Sequence, residues 1–160
     1  MEKRKRKVGS PDKRLSPQSR LVARSLINNL YHSPTKKGRR ASAMLLAANR
    51  LGLGTQQYLI CDFIMYSLQH DPAYSGEWEA IESAWNGTCP GDGMTGGRDI
   101  GVRAGFFLHM ASSELELGMK RGILSESVIY ALSNHPAYAA RLQEVGTLAD
   151  EIEKESTAGE

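Results

Sequence analysis

Cysteine is scarce in this sequence, with Cys61 and Cys89 the only two, and the four histidines, His32, His70, His109 and His135, stand singly. No Cys-x-x-Cys and no histidine pair at i, i+4 occurs, so the common zinc-ligand spacings are missing and neither a metal nor another cofactor is expected. Long apolar runs are missing too; none approaches the roughly 20 residues that cross a bilayer, so no membrane partner is expected. No segment alternates apolar and polar residues with period two, which excludes an amphipathic sheet and leaves an all-α class. No apolar stretch follows Met1–Lys7 as it would in a secretory signal. The chain is therefore expected in a reducing compartment, cytoplasmic and nucleoid-associated, or nuclear in a eukaryote.

Clustered catalytic chemistry is equally thin. Gly91-Asp92-Gly93-Met94-Thr95-Gly96 satisfies Gly-x-Gly-x-x-Gly, but no strand precedes it and Asp92 would repel a pyrophosphate, so it reads as a hinge. Cys89 has no local base, and Glu77, Glu79, Glu114 and Glu116 read as solvated helix carboxylates. The chain is not expected to be an enzyme.

What is present is a division of charge. The net charge is only +2 over 160 residues, yet residues 1–50 hold 14 of the 20 Lys and Arg against Glu2 and Asp12, a net +12. The remaining residues carry a net −10, densest at Glu144, Asp150, Glu151, Glu153, Glu155 and Glu160. A basic block of this kind points to a polyanion, because each phosphate neutralised releases condensed counterions. The rival is that the basic part folds back on the chain's own acidic surface or serves solubility.

Residues 1–15 combine seven Lys or Arg with Gly9, Ser10 and Pro11 and little that is apolar, so they read as a flexible basic arm. Lys3, Arg4, Lys5, Arg6 and Lys7 also fit a nuclear localisation signal. Ser16-Pro17 looks like a cap followed by proline at the first helical position, opening a helix over about 17–32. Thr35 or Lys36 opens a second helix that ends at Gly52 and Gly54, and Thr55 caps a third over about 55–69. That third helix, with Tyr58 to Met65 apolar nearly all round, belongs in a core. Asp71-Pro72 opens a fourth helix to about Trp85, Asp99 caps a fifth, Ser125 starts a sixth and His135-Pro136 starts a seventh. The domain is expected over 16–150, followed by an acidic tail over 151–160.

A shift of 64 residues aligns 39–85 with 103–149 without a gap. Leu53-Gly54 meets Leu117-Gly118, and Tyr66, Leu68, Pro72, Ala73 and Tyr74 meet Tyr130, Leu132, Pro136, Ala137 and Tyr138. This spacing suggests a duplicated three-helix unit, with copies over about 35–85 and 99–149, against the alternative of two helices that share a proline start. Only the first copy is basic at its opening, with Lys36, Lys37, Arg39 and Arg40.

Ala47-Ala48, Leu51-Gly52-Leu53 and Thr55-Gln56-Gln57 have the spacing of a helix-turn-helix, with Thr55, Gln56 and Gln57 the candidate base readers, although a buried hairpin fits the apolar residues that follow. Ser33-Pro34-Thr35-Lys36-Lys37 resembles the Ser-Pro-basic segments of histone tails that lie along A·T-rich minor grooves; a capped helix start is the simpler account.

Together these features suggest a small double-stranded-DNA-binding transcriptional regulator, with DNA favoured over RNA. Lys3, Arg4, Lys5, Arg6, Lys7, Lys13, Arg14, Lys36, Lys37, Arg39 and Arg40 would hold phosphates, and Arg20, Arg24 and Arg50 would extend the patch. The alternative is an interaction or adaptor protein whose acidic C-terminal half binds a protein partner.

Overall fold

Side-chain caps start most of the helices. Ser16 Oγ accepts the Ser19 N–H at 3.1 Å, and Pro17 occupies the first position of α1 (Pro17–Tyr31), where its missing N–H leaves nothing unpaired. Thr35 Oγ1 accepts the Gly38 N–H and opens α2 (Lys36–Arg50). Thr55 Oγ1 accepts the Tyr58 N–H and opens α3 (Gln56–His70). Asp71 and His135 cap two single turns, α4 (Pro72–Ser75) and α8 (Pro136–Ala139), the latter through its ring Nδ1. The remaining helices are α5 (Trp78–Thr88), α6 (Ile100–His109), α7 (Lys120–Asn134) and α9 (Leu142–Ala158), with one π-helical turn over Met110–Glu114. The computed structural model describes residues 12–88 and 98–158, which hold helices and their connections and no strand. No helix among them is long and apolar enough to cross a membrane.

The core is built around α3. Leu59, Ile60, Cys61, Phe63, Ile64 and Leu68 are fully buried on it, as an all-round apolar helix requires. It lies between α1, α6 and α7, while α2 rests on α7 and α9. Where α3 meets α7, Tyr66 stacks on Tyr130, the Tyr66 hydroxyl donates to the Asn134 carbonyl, and the Tyr130 hydroxyl donates to the His70 carbonyl. Adding 64 to the bounds of α2, α3 and α4 gives 100–114, 120–134 and 136–139. These are the bounds of α6 with its π-helical turn, of α7 and of α8, and α9 begins 64 residues after α5. Gly54 and Gly118 share a φ of 157°.

Several boundaries differ from the sequence expectation. The fourth and seventh helices each divide into a single turn and a longer helix, because Glu77 N–H and Arg141 N–H bond back three residues, to Tyr74 and Tyr138, and redirect the chain. Ser125 does not start a helix: it is buried inside α7, donating to the Arg121 carbonyl. Asp99 makes no side-chain cap; Ser19 Oγ of α1 instead accepts the N–H groups of Gly101 and Val102, at 3.0 and 3.1 Å. The tail expected from 151 continues α9 through Ala158. Of the expected arm, residues 1–11 lie outside the described residues, as does 89–97 of the glycine-rich connection. Residues 12–15 are seated on the helical body, with Leu15 fully buried.

At the π-helical turn, Leu115 N–H reaches the Met110 carbonyl at 2.8 Å, and Glu116 takes a φ of 53°, 64 residues after Gly52 at 83°. A glycine meets that geometry freely and a glutamate is strained by it.

The α1–α6 crossing is set by Gly101, since a Cβ there would meet the Ser19 carbonyl oxygen at 2.4 Å. Gly101→Ala is expected to lower stability by about 2 kcal/mol through forced separation of the two backbones. Gly122→Ala, on α7 with nothing within 4 Å of the new carbon, is expected to raise stability by about 0.5–1 kcal/mol. Urea unfolding of the two variants checks both signs.

Candidate nucleic-acid interface

Four cations crowd the first turn of α2, where the helix dipole disfavours positive charge. Lys37 pairs with Glu126 of α7. Arg40 reaches Asp150 of α9 at 2.7 Å and Glu153 at 3.5 Å. Arg39 donates to the Pro34 carbonyl at 2.7 Å. Lys36 is exposed, and among the described residues neither it nor Arg39 has a carboxylate within ion-pair distance. The same holds for Lys13, Arg20, Arg24 and Arg50.

Lys36, Lys37, Arg39 and Arg40 border one groove of about 1260 Å³ between α2, the end of α1, α7 and α9. Lys36, Arg39, Ala43 and Leu46 follow one another at helical spacing along the α2 wall, and Arg50 comes next on that face. Leu46, Ile129 and Ile152 are partly buried and make the floor apolar. Tyr31, 37% exposed as a residue, closes one side, with its hydroxyl donating to Gln56 Oε1 at 2.5 Å. Burial raises that hydroxyl's pKa well above the ordinary tyrosine value, against the nearby Arg50 charge, so it stays a neutral donor. In the sequence, Tyr31 and Ile129 read only as members of apolar stripes. The spacing 36, 39, 43, 46, 50 is legible there, but the opposite wall from α9 is not.

The remaining candidates divide. Lys37, Arg39, Arg40 and Lys36 come together; Arg14 does not join them. Its guanidinium forms a two-pronged pair with Asp12 and lies 4.3 Å from the centroid of the Tyr58 ring. Arg20 donates to the Leu15 carbonyl, and Arg24 projects from the exposed face of α1. Lys3, Arg4, Lys5, Arg6 and Lys7 lie outside the described residues.

The helix-turn-helix expectation is corrected here. Gln56 and Gln57 are 2% and 1% exposed. The Gln56 side chain holds Tyr31, and Gln57 Oε1 accepts the Asp12 N–H at 3.0 Å. Thr55 caps α3 and donates its hydroxyl to Asp12 at 2.5 Å. All three polar side chains serve the junction between residue 12 and α3 or α1, and neither glutamine can reach a base edge from there. The reason is the burial of α3 itself, which draws its first turn inward.

The other polar cluster ties α3 to α8: the Tyr138 hydroxyl donates to Asp62 at 2.5 Å, and the ring nitrogen Nε2 of His135 lies 3.7 Å from the same carboxylate. The buried Cys61 thiol is pushed up to about 12 by desolvation, which keeps it protonated and unreactive. No group of three His, Cys, Asp or Glu side chains among the described residues could hold a metal ion.

Asp12 carries the strongest electrostatic signature. Hydrogen bonds from the Arg14 guanidinium hold its carboxyl well below the usual range, opposed by burial and aided by the Thr55 hydroxyl. Because the folded value lies below the unfolded one of about 3.9, the stabilisation is present above about pH 4 and fades as acid protonates the group. Asp12→Asn is expected to lower stability by about 1 kcal/mol at pH 7, a modest figure because Arg14 is exposed. The difference from wild type should shrink steadily below pH 4, as read by thermal unfolding across that range. Comparison of the chain with protein-family models, with curated proteins and with solved structures gave no match.

Proposed function

We propose that this chain binds nucleic acid, holding phosphates with the cations of α2 and its neighbours. The observation that carries the reading is the set of exposed cations without a carboxylate partner among the described residues: Lys13, Arg24, Lys36, Arg39 and Arg50. The basic residues Lys3, Arg4, Lys5, Arg6 and Lys7 would add to it. Phosphate contacts of this kind give affinity and register without sequence choice. With Gln56 and Gln57 inside the fold, the reading favours a general binder over a sequence-specific regulator.

The helical body is read as a duplicated three-helix unit. The coincident helix bounds, the shared φ of Gly54 and Gly118, and the reciprocal Tyr66 and Tyr130 hydrogen bonds support that reading. The copies then differ chiefly in charge: the position of Lys36 is Ile100 in the second unit, and that of Lys37 is Gly101.

The adaptor alternative uses the acidic C-terminal half. Asp150 and Glu153 are already turned to Arg40, and Glu126 to Lys37, which weakens its case.

The test is binding of the full-length protein to a random-sequence 20-base-pair duplex across a series of salt concentrations. Lys36→Glu with Arg39→Glu should weaken binding and flatten the dependence of log K on log salt by roughly 1.8, about 0.9 for each duplex phosphate no longer neutralised. Replacing residues 3–7 with glutamine tests the arm separately and leaves Asp12 and Leu15, which belong to the fold, in place. Absence of salt-sensitive binding at low salt, both of this duplex and of an unpaired strand of 20 nucleotides, refutes the reading.

A further inference from the structure

We infer that the α2 groove takes an unpaired nucleic-acid strand, with bases lying against its apolar floor and the Tyr31 ring and phosphates on its cationic rim. The inference rests on the nucleic-acid reading and narrows it to a class of ligand. Three observations favour a single strand over a duplex.

The first is shape. The cations of α2 stand beside a concave groove of about 1260 Å³, while duplex readers present a convex helix to the major groove. The helix that could have played that part, α3, is core. The second is the floor. Leu46, Ile129 and Ile152 are apolar surface left partly open within a ring of charge. A duplex keeps its bases stacked away from such a surface, whereas an unpaired strand can lay them on it. The third is Tyr31, whose ring is exposed at the groove while its hydroxyl is anchored to Gln56. A fixed ring beside free cations is the combination that binds single strands with little sequence preference, through stacking and phosphate neutralisation together.

Charge complementarity sets the occupant's sign. Lys36 and Arg39 face the groove without carboxylate partners among the described residues, while Glu153 is turned to Arg40. Stacking and phosphate neutralisation are open to RNA and DNA alike, so both single strands are probes.

The experiment is fluorescence anisotropy on the full-length protein at one fixed, low ionic strength. The probes are oligothymidine of 20 nucleotides, an unstructured 20-nucleotide RNA, a 20-base-pair duplex and poly-glutamate of equal charge. The expected result is binding of at least one unpaired strand about tenfold tighter than the duplex and than poly-glutamate. Tyr31→Ala and Leu46→Glu should each reduce that affinity at least about fivefold, with folding checked by circular dichroism. Ultraviolet crosslinking of oligothymidine to the wild-type protein should recover peptides containing Tyr31 or the α2 face, a readout that does not depend on any variant folding. A duplex bound as tightly as the unpaired strands overturns this inference and leaves the broader reading standing. Poly-glutamate bound as tightly as oligothymidine also overturns it, since the groove would then answer to charge alone. Failure of all three nucleic acids to bind overturns both.

Discussion

The helix α3 has almost no side that it can turn to water, and the rest of the molecule is arranged to enclose it. Six of its apolar side chains are wholly buried, at roughly 1.5–3 kcal/mol for each large one removed from solvent. Opening this helix to meet a ligand would forfeit several such contributions at once, against a total stability of only about 5–15 kcal/mol for a typical domain. Its first turn shares the constraint. Thr55, Gln56 and Gln57 are polar, and at the end of a buried helix they look for partners inside the protein; Asp12 meets Thr55 and Gln57 and Tyr31 meets Gln56 Oε1, while Gln56 Nε2 is buried without a partner. The exposed cationic face is thereby left to α2, which has one side in the core and one side open.

The contact between α3 and α7 lets each helix finish the other. Tyr66 and Tyr130 exchange equivalent bonds with the C-terminal ends of each other's helices, at His70 and Asn134. Carbonyls left without intrahelical partners at those ends are satisfied across the interface. The same economy appears where Ser19 stands in for the missing cap of α6. The opening of α2 is basic and faces the groove, while the opening of α6 is apolar and faces α1, with Gly101 admitting the α1 backbone.

Local signals in the chain carried much of the architecture. Ser16-Pro17, Thr35, Thr55, Asp71-Pro72 and His135-Pro136 mark real helix starts because a cap is chemistry within three residues of its own position. The offset of 64 was more informative than the cap at Ser125: it puts a helix start at 120, where α7 begins. What the sequence could not convey was pairing at a distance. Lys37 meets Glu126 across 89 residues and Arg40 meets Asp150 across 110, and the strip of charge on α2 looks equally free at all four positions until those partners are placed. Nor could composition reveal that residues 12–15 dock. Leu15 is a lone apolar residue after a basic run, and nothing local marks it as one that the fold buries completely.

These distant ion pairs bear directly on how much positive charge the groove can offer. Lys37 and Glu126 are both exposed at their pair, as is Asp150 where it meets Arg40. Pairs of this kind contribute only about 0–1 kcal/mol and weaken with salt. On the proposed reading, a phosphate arriving in the groove would compete with carboxylates that hold their partners loosely, and each cation it captured would be exchanged rather than newly desolvated. The folding back of acidic on basic segments and the binding of an external polyanion are therefore compatible in this molecule. The internal pairs let α2 carry four cations against its own dipole, and they leave Lys36 and Arg39 without a carboxylate partner among the described residues.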